Sequence, residues 1–248
     1  MKPILIIPAR MAATRLPGKP LADIGGKPMI ARMIDLARQA AAGRDWPIAV
    51  AAGEAEIVAA ARAEGAEAVL TDPDLPSGTD RIHAALGELD PHGRFDVVVN
   101  LQGDTPTMDP GAITAALEAL AADPEAGIAT LISPSSDAGD RENPNVVKAI
   151  PSFRGAFARC LYFTRADAPF GQGPVWRHVG LYAYRRAALE AFVAAPPSPL
   201  ELREKLEQLR ALELGMTIVA GVVDEFPKGV DTPADLETAR AWFAEREL

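Results

Sequence analysis

A single cysteine, Cys160, stands among 248 residues. That excludes an intrachain disulfide and leaves no basis for a cysteine-built zinc site; a lone thiol is most often a small buried hydrophobe. Basic excess is also missing, because 25 Lys+Arg against 34 Asp+Glu give a net charge of −9. A broad nucleic-acid footprint needs the opposite balance, with cations to displace counterions. A nucleoside triphosphate is not excluded, since a small polyanion needs only a few placed cations, or metal held by carboxylates. No segment approaches the roughly 18 consecutive apolar residues of a membrane span. The first residues pass straight into a strand-like run without a charged leader and cleavage pattern, so the expected location is cytoplasmic. Internal repeats and low-complexity tracts are absent.

What remains is 48% hydrophobic and 24% charged, an ordinary globular composition long enough for a core without staples. Short apolar runs alternate with helical patterns through the first half. PILIIP (3–8) reads as a buried strand and 28–42 as a helix, with Met29, Met33, Leu36 and Ala40 at helical spacing. Strands are expected at 48–52 and 68–70, with a helix at 54–64 between them. Ser77 reads as an N-cap with Asp80 three residues on, opening a helix through Leu86. FDVVVNL (95–101) is the strongest strand signal; a helix at about 110–121 and a strand at 127–132 follow. This alternation predicts an α/β fold with a mostly parallel sheet and helices on both faces. After residue 135 the pattern turns polar and then β-rich. We therefore expect a single domain over 1–248 with a β-rich insert at about 135–186, used for dimerisation. Helices are expected at 201–213 and 233–245, around a strand near 216–223.

Parallel sheets present ligands to loops at the carboxyl ends of strands, and three such loops carry unusual chemistry. Arg10, Arg15 and Lys19 fall in the loop after the first strand, between Pro8 and Pro20. Converging cations suit a triphosphate, although a solvated basic loop has the same composition; the Walker pattern is absent. Asp104 ends the strand FDVVVNL through Gln102-Gly103, where a carboxylate is either a hard-metal ligand or an ordinary turn cap. Asp231 precedes Thr232-Pro233, which also fits a helix start. His178 and Tyr182 share one face of the alternating run RHVGLYAY. Leu202, Leu206 and Leu209 form the expected core stripe of helix 201–213. Glu207 and Gln208 lie off it, where a solvated pair with Arg203 or Arg210 is the default.

Taken together, PARMAATRLPGKPL, PSGTDR, NLQGD, NPNVVK, YFTRA, RHVGLYAY, SPLELREKLEQLRALE and GVDTPADLE resemble the 3-deoxy-manno-octulosonate (Kdo) cytidylyltransferases, also called CMP-Kdo synthetases. The motifs run in family order over nearly the whole chain. The first alone fits several nucleotidyltransferases; the HVGLYAY and SPLE…LEQLR pair is much more specific. The resemblance implies a Rossmann-like nucleotidyltransferase fold, a homodimer built through the β-rich insert, and transfer of CMP from CTP to Kdo with Mg²⁺ for lipopolysaccharide biosynthesis. It implies that Arg10, Arg15 and Lys19 hold the triphosphate, and that Arg15, Lys19, Asp104 and Asp231 carry catalysis. Ser77, Gly78, Thr79 and Gln102 would line the nucleotide and sugar side. Asp104 and Asp231 would hold the metal. Gln102, Arg165, His178, Tyr182, Glu207 and Gln208 would face the sugar acid. The chain departs from the family pattern at Gly53, where an Asp usual in the family is missing, and at Thr105, where a Glu is usual.

Two competing readings stay open on sequence alone. One is a cytidylyltransferase for another acidic sugar, such as sialic acid or 8-amino-Kdo, separable by pyrophosphate release with a panel of sugars. The other is a non-catalytic nucleotide-binding homologue, which would bind CTP and release no pyrophosphate with any acceptor.

Overall fold

The computed structural model describes residues 1–12 and 15–246, so Ala13 and Thr14 of the first motif lie outside the described residues. The chain divides into two compact units, one of residues 1–111 with 227–248 and one of residues 112–226.

The first unit is built on Pro3–Ala9 (β1), buried at every position; such an unbroken apolar run marks a strand covered on both faces. A 3₁₀ turn at Lys19–Leu21 follows, then a small hairpin of Asp23–Ile24 (β2) and Lys27–Pro28 (β3). Next come Met29–Ala40 (α1), Ile48–Ala52 (β4), Ala55–Ala63 (α2), Glu67–Leu70 (β5), Gly78–Leu89 (α3) and Val97–Asn100 (β6). The strands lie in the order β5-β4-β1-β6, every pairing parallel. α1, α2 and α3 flank this sheet. Its topology brings the carboxyl ends of β1 and β6 side by side, which is where the first two candidate loops begin.

The second unit contains Gly111–Ala122 (α4, its first residue still in the first unit), Ala126–Ser135 (β7), Ala138–Glu142 (α5), Lys148–Arg154 (β8), Phe157–Thr164 (β9) and Val175–Arg185 (β10). It continues with Arg186–Ala194 (α6), Pro199–Glu204 (α7), Gln208–Glu213 (α8) and Thr217–Val222 (β11). Its strands are ordered β10-β7-β11-β9-β8. Only β7–β11 is parallel here, and the other pairings are antiparallel. The sheet is therefore mixed rather than mostly parallel in this half. At Gly221 a Cβ would sit 2.8 Å from the Ala115 carbonyl oxygen, so a residue without a side chain is what lets α4 lie this close to β11. The chain then returns to the first unit with Pro233–Ala244 (α9).

Three expectations need correction. The helix expected over 201–213 is broken: Lys205 takes a left-handed conformation (φ 55°, ψ 48°) and separates α7 from α8. The helical stripe fails with it, since Leu202 is 65% exposed while Leu206, Gln208 and Leu209 are buried. β6 is four residues long, shorter than its apolar signal, because Phe95 and Asp96 are spent on turn contacts to Asp90 and Lys2. The helix α6 and the β2–β3 hairpin were not expected.

Candidate active site

Lys19 is placed by local backbone chemistry. Gly18 adopts φ 71°, a left-handed step that glycine takes at no steric cost, and Pro20 fixes the start of the 3₁₀ turn. Gly18 and Lys19 donate their N–H groups back to Met11 and Leu16. Leu16, between Arg15 and Lys19, packs against a cluster of Ile24, Met29, Val230, Leu236 and Ala239. The hairpin, α1 and α9 are thus joined under the loop, and the cations are carried on a buried anchor.

The loop after β6 is pressed against the end of β1. A Cβ on Gly103 would lie 2.8 Å from the Pro8 carbonyl oxygen, so no other residue fits there without displacing backbone. Asp104 follows, and its carbonyl accepts from the Val230 N–H at 2.8 Å. That bond and the burial of Val230 bring the third loop in. Thr232 caps α9 and forms a capping box with Asp235, whose carboxylate also accepts from the Asp231 and Thr232 N–H groups. Thr232 and Asp235 do the capping between them and so leave the Asp231 carboxylate available.

The result is one constellation. Lys19 Nζ donates to Asp104 Oδ2 at 2.8 Å and to Asp231 Oδ1 at 3.0 Å, and Arg15 Nη2 lies 2.9 Å from Asp231 Oδ2. Burial alone lowers the Lys19 pKa, but the two carboxylates outweigh it and the net shift is upward. The ammonium is charged throughout the neutral range. Its contribution to stability is present below the ordinary value of 10.5 and is lost only as pH rises through the raised folded value. The two aspartates are thus not turn caps, and Lys19 is not a solvated surface cation.

These groups line a cleft of about 380 Å³, together with Arg10, Ser77, Gly78, Gln102 and Arg81, a size that suits a small-molecule ligand. Ser77 caps α3 by accepting from the Thr79 and Asp80 N–H groups, both at 3.1 Å, and donates to Asp80. Gln102 Nε2 donates to Asn100. Thr79 is buried and does not line the cleft. Arg81 is the residue that motif spacing missed. Though only 2% exposed, it reaches the cleft wall and donates to Thr71 Oγ1 and to the Asp72 and Pro73 carbonyls. Desolvation, and then the charge of Arg10, lower its pKa. Gly53 leaves its space: a Cβ there would come 3.1 Å from Arg81 Nη1. A buried arginine bonded to neutral oxygens keeps its positive charge in force at the site. The available signal was its position on the buried face of α3.

The other predicted residues gather in the second unit. Thr130 Oγ1 lies 2.9 Å from His178 Nε2 and within 3.0 Å of the Val179 and Leu181 carbonyls. With its single proton given to one of those carbonyls, Thr130 accepts from His178 Nε2–H, the tautomer that leaves Nδ1 as an acceptor. The His178 ring lies 5.5 Å from that of Tyr182 and 4.9 Å from that of Phe163. The pairing register of β10 shifts between Val179 and Ala183, within the stretch that separates His178 from Tyr182. Desolvation pushes His178 down to about 3, and raises Tyr182 well above its usual value, with Tyr184 and Glu207 adding to the rise. Gln208 is buried, and its Nε2 has no hydrogen-bond partner among the described residues. Arg210 pairs with Glu201 at 2.6 Å. Arg165 donates Nε to the Glu204 carbonyl, Nη1 to Pro144 and Nη2 to Lys205.

The histidine gives a direct check. His178 should be neutral at pH 5 with its proton on Nε2, by ¹⁵N-detected NMR of the ring. Because the unfolded chain takes up a proton near pH 6.5 and the folded one does not, this group costs stability as pH falls from 6.5 toward 3. A protonated His178 ring at pH 5 would contradict the burial argument.

Among the described residues no group of three or more His, Cys, Asp and Glu could hold a metal ion, and no helix is long and apolar enough to cross a membrane. The chain matches the family profile described as cytidylyltransferase over residues 4–218. It is 59% identical over 247 residues to the 3-deoxy-manno-octulosonate cytidylyltransferase of Parvibaculum lavamentivorans, covering 99% of this chain and 94% of that one. It is 60% identical over 240 residues to the enzyme of the same name from Bradyrhizobium sp., covering 96% of each. Its fold superposes with a TM-score of 0.90, at 37% identity, on CMP:2-keto-3-deoxy-manno-octonic acid synthetase complexed with CTP, over 99% of this chain and all of that one. The chain belongs to the 3-deoxy-manno-octulosonate cytidylyltransferase family.

Proposed function

We propose that this chain transfers CMP from CTP to the anomeric hydroxyl of Kdo, giving CMP-Kdo and pyrophosphate for lipopolysaccharide biosynthesis. The observation that carries the reading is the joining of Arg15, Lys19, Asp104 and Asp231 at one end of a cleft also lined by Arg10 and Arg81. The sugar hydroxyl gives up its proton to solvent water and attacks the α-phosphorus, the new P–O bond forms, and the bond to the β-phosphate breaks with its electrons on pyrophosphate. Little covalent chemistry is asked of the protein; positioning and charge neutralisation do the work. Arg10, Arg15 and Lys19 take the triphosphate, and Lys19 and Arg15 offset the charge on the leaving pyrophosphate. Arg81 adds a fixed positive field behind them.

Asp104 and Asp231 suit Mg²⁺. Both reach one cation, Lys19 Nζ, within 3.0 Å, and two carboxylates without further protein ligands are the donor set Mg²⁺ takes when phosphates and water complete its shell. When bound there, the ion would lower the pKa of the attacking hydroxyl and polarise the α-phosphate.

The second-unit cluster supplies the sugar side. His178 Nδ1, the Tyr182 hydroxyl, Gln208 Nε2 and Glu207 offer neutral and acidic hydrogen-bonding groups suited to a polyhydroxylated acid. We also propose a homodimer through the β-rich insert, supported by exposed Phe153 and Leu161 on β8 and β9, and a cytoplasmic enzyme. The test is pyrophosphate release with all four nucleoside triphosphates against Kdo, 8-amino-Kdo and sialic acid, with Mg²⁺ present or withheld. We expect release with CTP and Kdo that needs Mg²⁺. A clear preference for another sugar acid or another base would overturn the assignment.

A further inference from the structure

Lys205 is the one non-glycine residue with positive φ among the described residues. An L-residue in that conformation brings its Cβ against the following carbonyl oxygen, and helix ends that need it usually place Gly or Asn there. Lysine has neither the permissive backbone of one nor the short polar side chain of the other. The surrounding contacts must hold the turn, and they converge on Arg165. Its Nε donates to the Glu204 carbonyl at 2.9 Å and its Nη2 to that of Lys205 at 3.4 Å. Its Nη1 reaches the Pro144 carbonyl at 2.9 Å, and its backbone N–H donates to Glu204 Oε2 at 3.0 Å. Thr164 donates to the other oxygen of the same carboxylate. The Arg165 carbonyl is fixed in turn by Lys148, whose fully buried ammonium donates to it at 2.9 Å and to the Asn143 carbonyl at 3.0 Å. Three segments, 143–148, 164–165 and 204–205, are thus welded at one junction.

The chain beyond that junction runs directly into the proposed sugar-acid side. Leu206 is buried and its N–H donates to the Glu201 carbonyl; Glu207 and Gln208 follow. Without the left-handed step the helix would continue. Leu202, Leu206 and Leu209 would then share a face, as the periodicity suggested, and Gln208 would turn off it. In the structure the turn at Lys205 separates the two helices and Gln208 is buried.

We propose that Arg165 is a positioning residue: with Lys148 it holds the left-handed turn at Lys205 and so presents Glu207 and Gln208 to the sugar acid. This rests on the reading of the second-unit cluster as the sugar side. Three of Arg165's five side-chain N–H donors go to backbone oxygens, two of them on the turn itself, and the exchange and rescue readouts below separate an effect through the turn from direct contact with the sugar.

The test uses the full chain carrying Arg165→Gln, the double variant Arg165→Gln/Lys205→Gly, and Gln208→Ala as a control on the subsite. Arg165→Gln should raise KM for Kdo about tenfold, leave KM for CTP within about twofold, and speed amide exchange over residues 204–209 without any ligand. Glycine takes the left-handed conformation without strain, so the double variant should recover most of the loss in both readouts. If Arg165→Gln does not fold, Lys148→Met at the far side of the same junction is read the same way. A raised KM for Kdo with unchanged exchange and no rescue would overturn the proposal and make Arg165 a direct ligand. Faster exchange throughout the unit with both KM values raised would overturn it in favour of a general structural role. An unchanged KM for Kdo in Gln208→Ala would sink the sugar-side reading and the functional half of the proposal, while the exchange data still decide whether Arg165 holds the turn.

Discussion

Asp104→Asn or Asp231→Asn should lower turnover about 100-fold or more, a loss of roughly 2.7 kcal/mol of transition-state stabilisation, while CTP binding stays within a few-fold. The asymmetry follows from the charges. CTP brings negative charge into a cleft where Arg10, Arg15, Lys19 and Arg81 supply the attraction. The carboxylates oppose that charge in the ground state, so neutralising one does not weaken binding. Their contribution is made as the reaction proceeds, when the hydroxyl must lose its proton and the α-phosphate must be held in line. The fold should tolerate either change, because Lys19 keeps one of its two carboxylate partners. Turnover is read by pyrophosphate release and affinity by equilibrium dialysis with labelled CTP. Near-normal turnover in both variants would remove these residues from the chemistry.

Lys19→Met should be costly in a different way, lowering kcat/KM about 100- to 1,000-fold and weakening CTP binding as well. Methionine keeps much of the stem's volume, so the change is mainly one of charge. The Lys19 side chain is only 15% exposed and sits between Asp104 and Asp231. Its loss leaves two carboxylates facing each other without the shared cation, in the same cleft that must accept a triphosphate. Repulsion then acts on the ground state, and the leaving pyrophosphate loses a neutralising group. Both kcat and the dissociation constant for CTP should move, whereas the aspartate variants move chiefly kcat. A Lys19→Met enzyme with unchanged CTP affinity would show that the ammonium serves only to hold the two loops together.

The first unit was largely legible because its signals are local. An unbroken apolar run gives β1, Ser77 with Asp80 gives the start of α3, and the strand-end rule points to the loops holding Lys19 and Asp104. That Asp231 joins them could be read only through family resemblance. The contact spans 212 residues and depends on Val230 entering a buried cluster and on Thr232 and Asp235 doing the capping. Arg81 escaped notice because a buried arginine on a helix looks, in sequence, like any exposed one. The second unit was harder for the same reason. The kink at Lys205 is set by Arg165 and Lys148, 40 and 57 positions earlier, so the helical period over 201–213 was present in the sequence and overruled by tertiary contacts. The irregularity of β10 between Val179 and Ala183 is likewise absent from the strand alternation that placed His178 and Tyr182 on one face.

The central claim is that this one chain joins CMP to Kdo. It is tested most directly by ³¹P NMR of the purified protein with CTP, Kdo and Mg²⁺. The expected result is loss of the three CTP resonances and the equimolar appearance of pyrophosphate and a single phosphodiester joining cytidine to the sugar. CTP left intact, or consumed to CMP without a sugar phosphodiester, would contradict it.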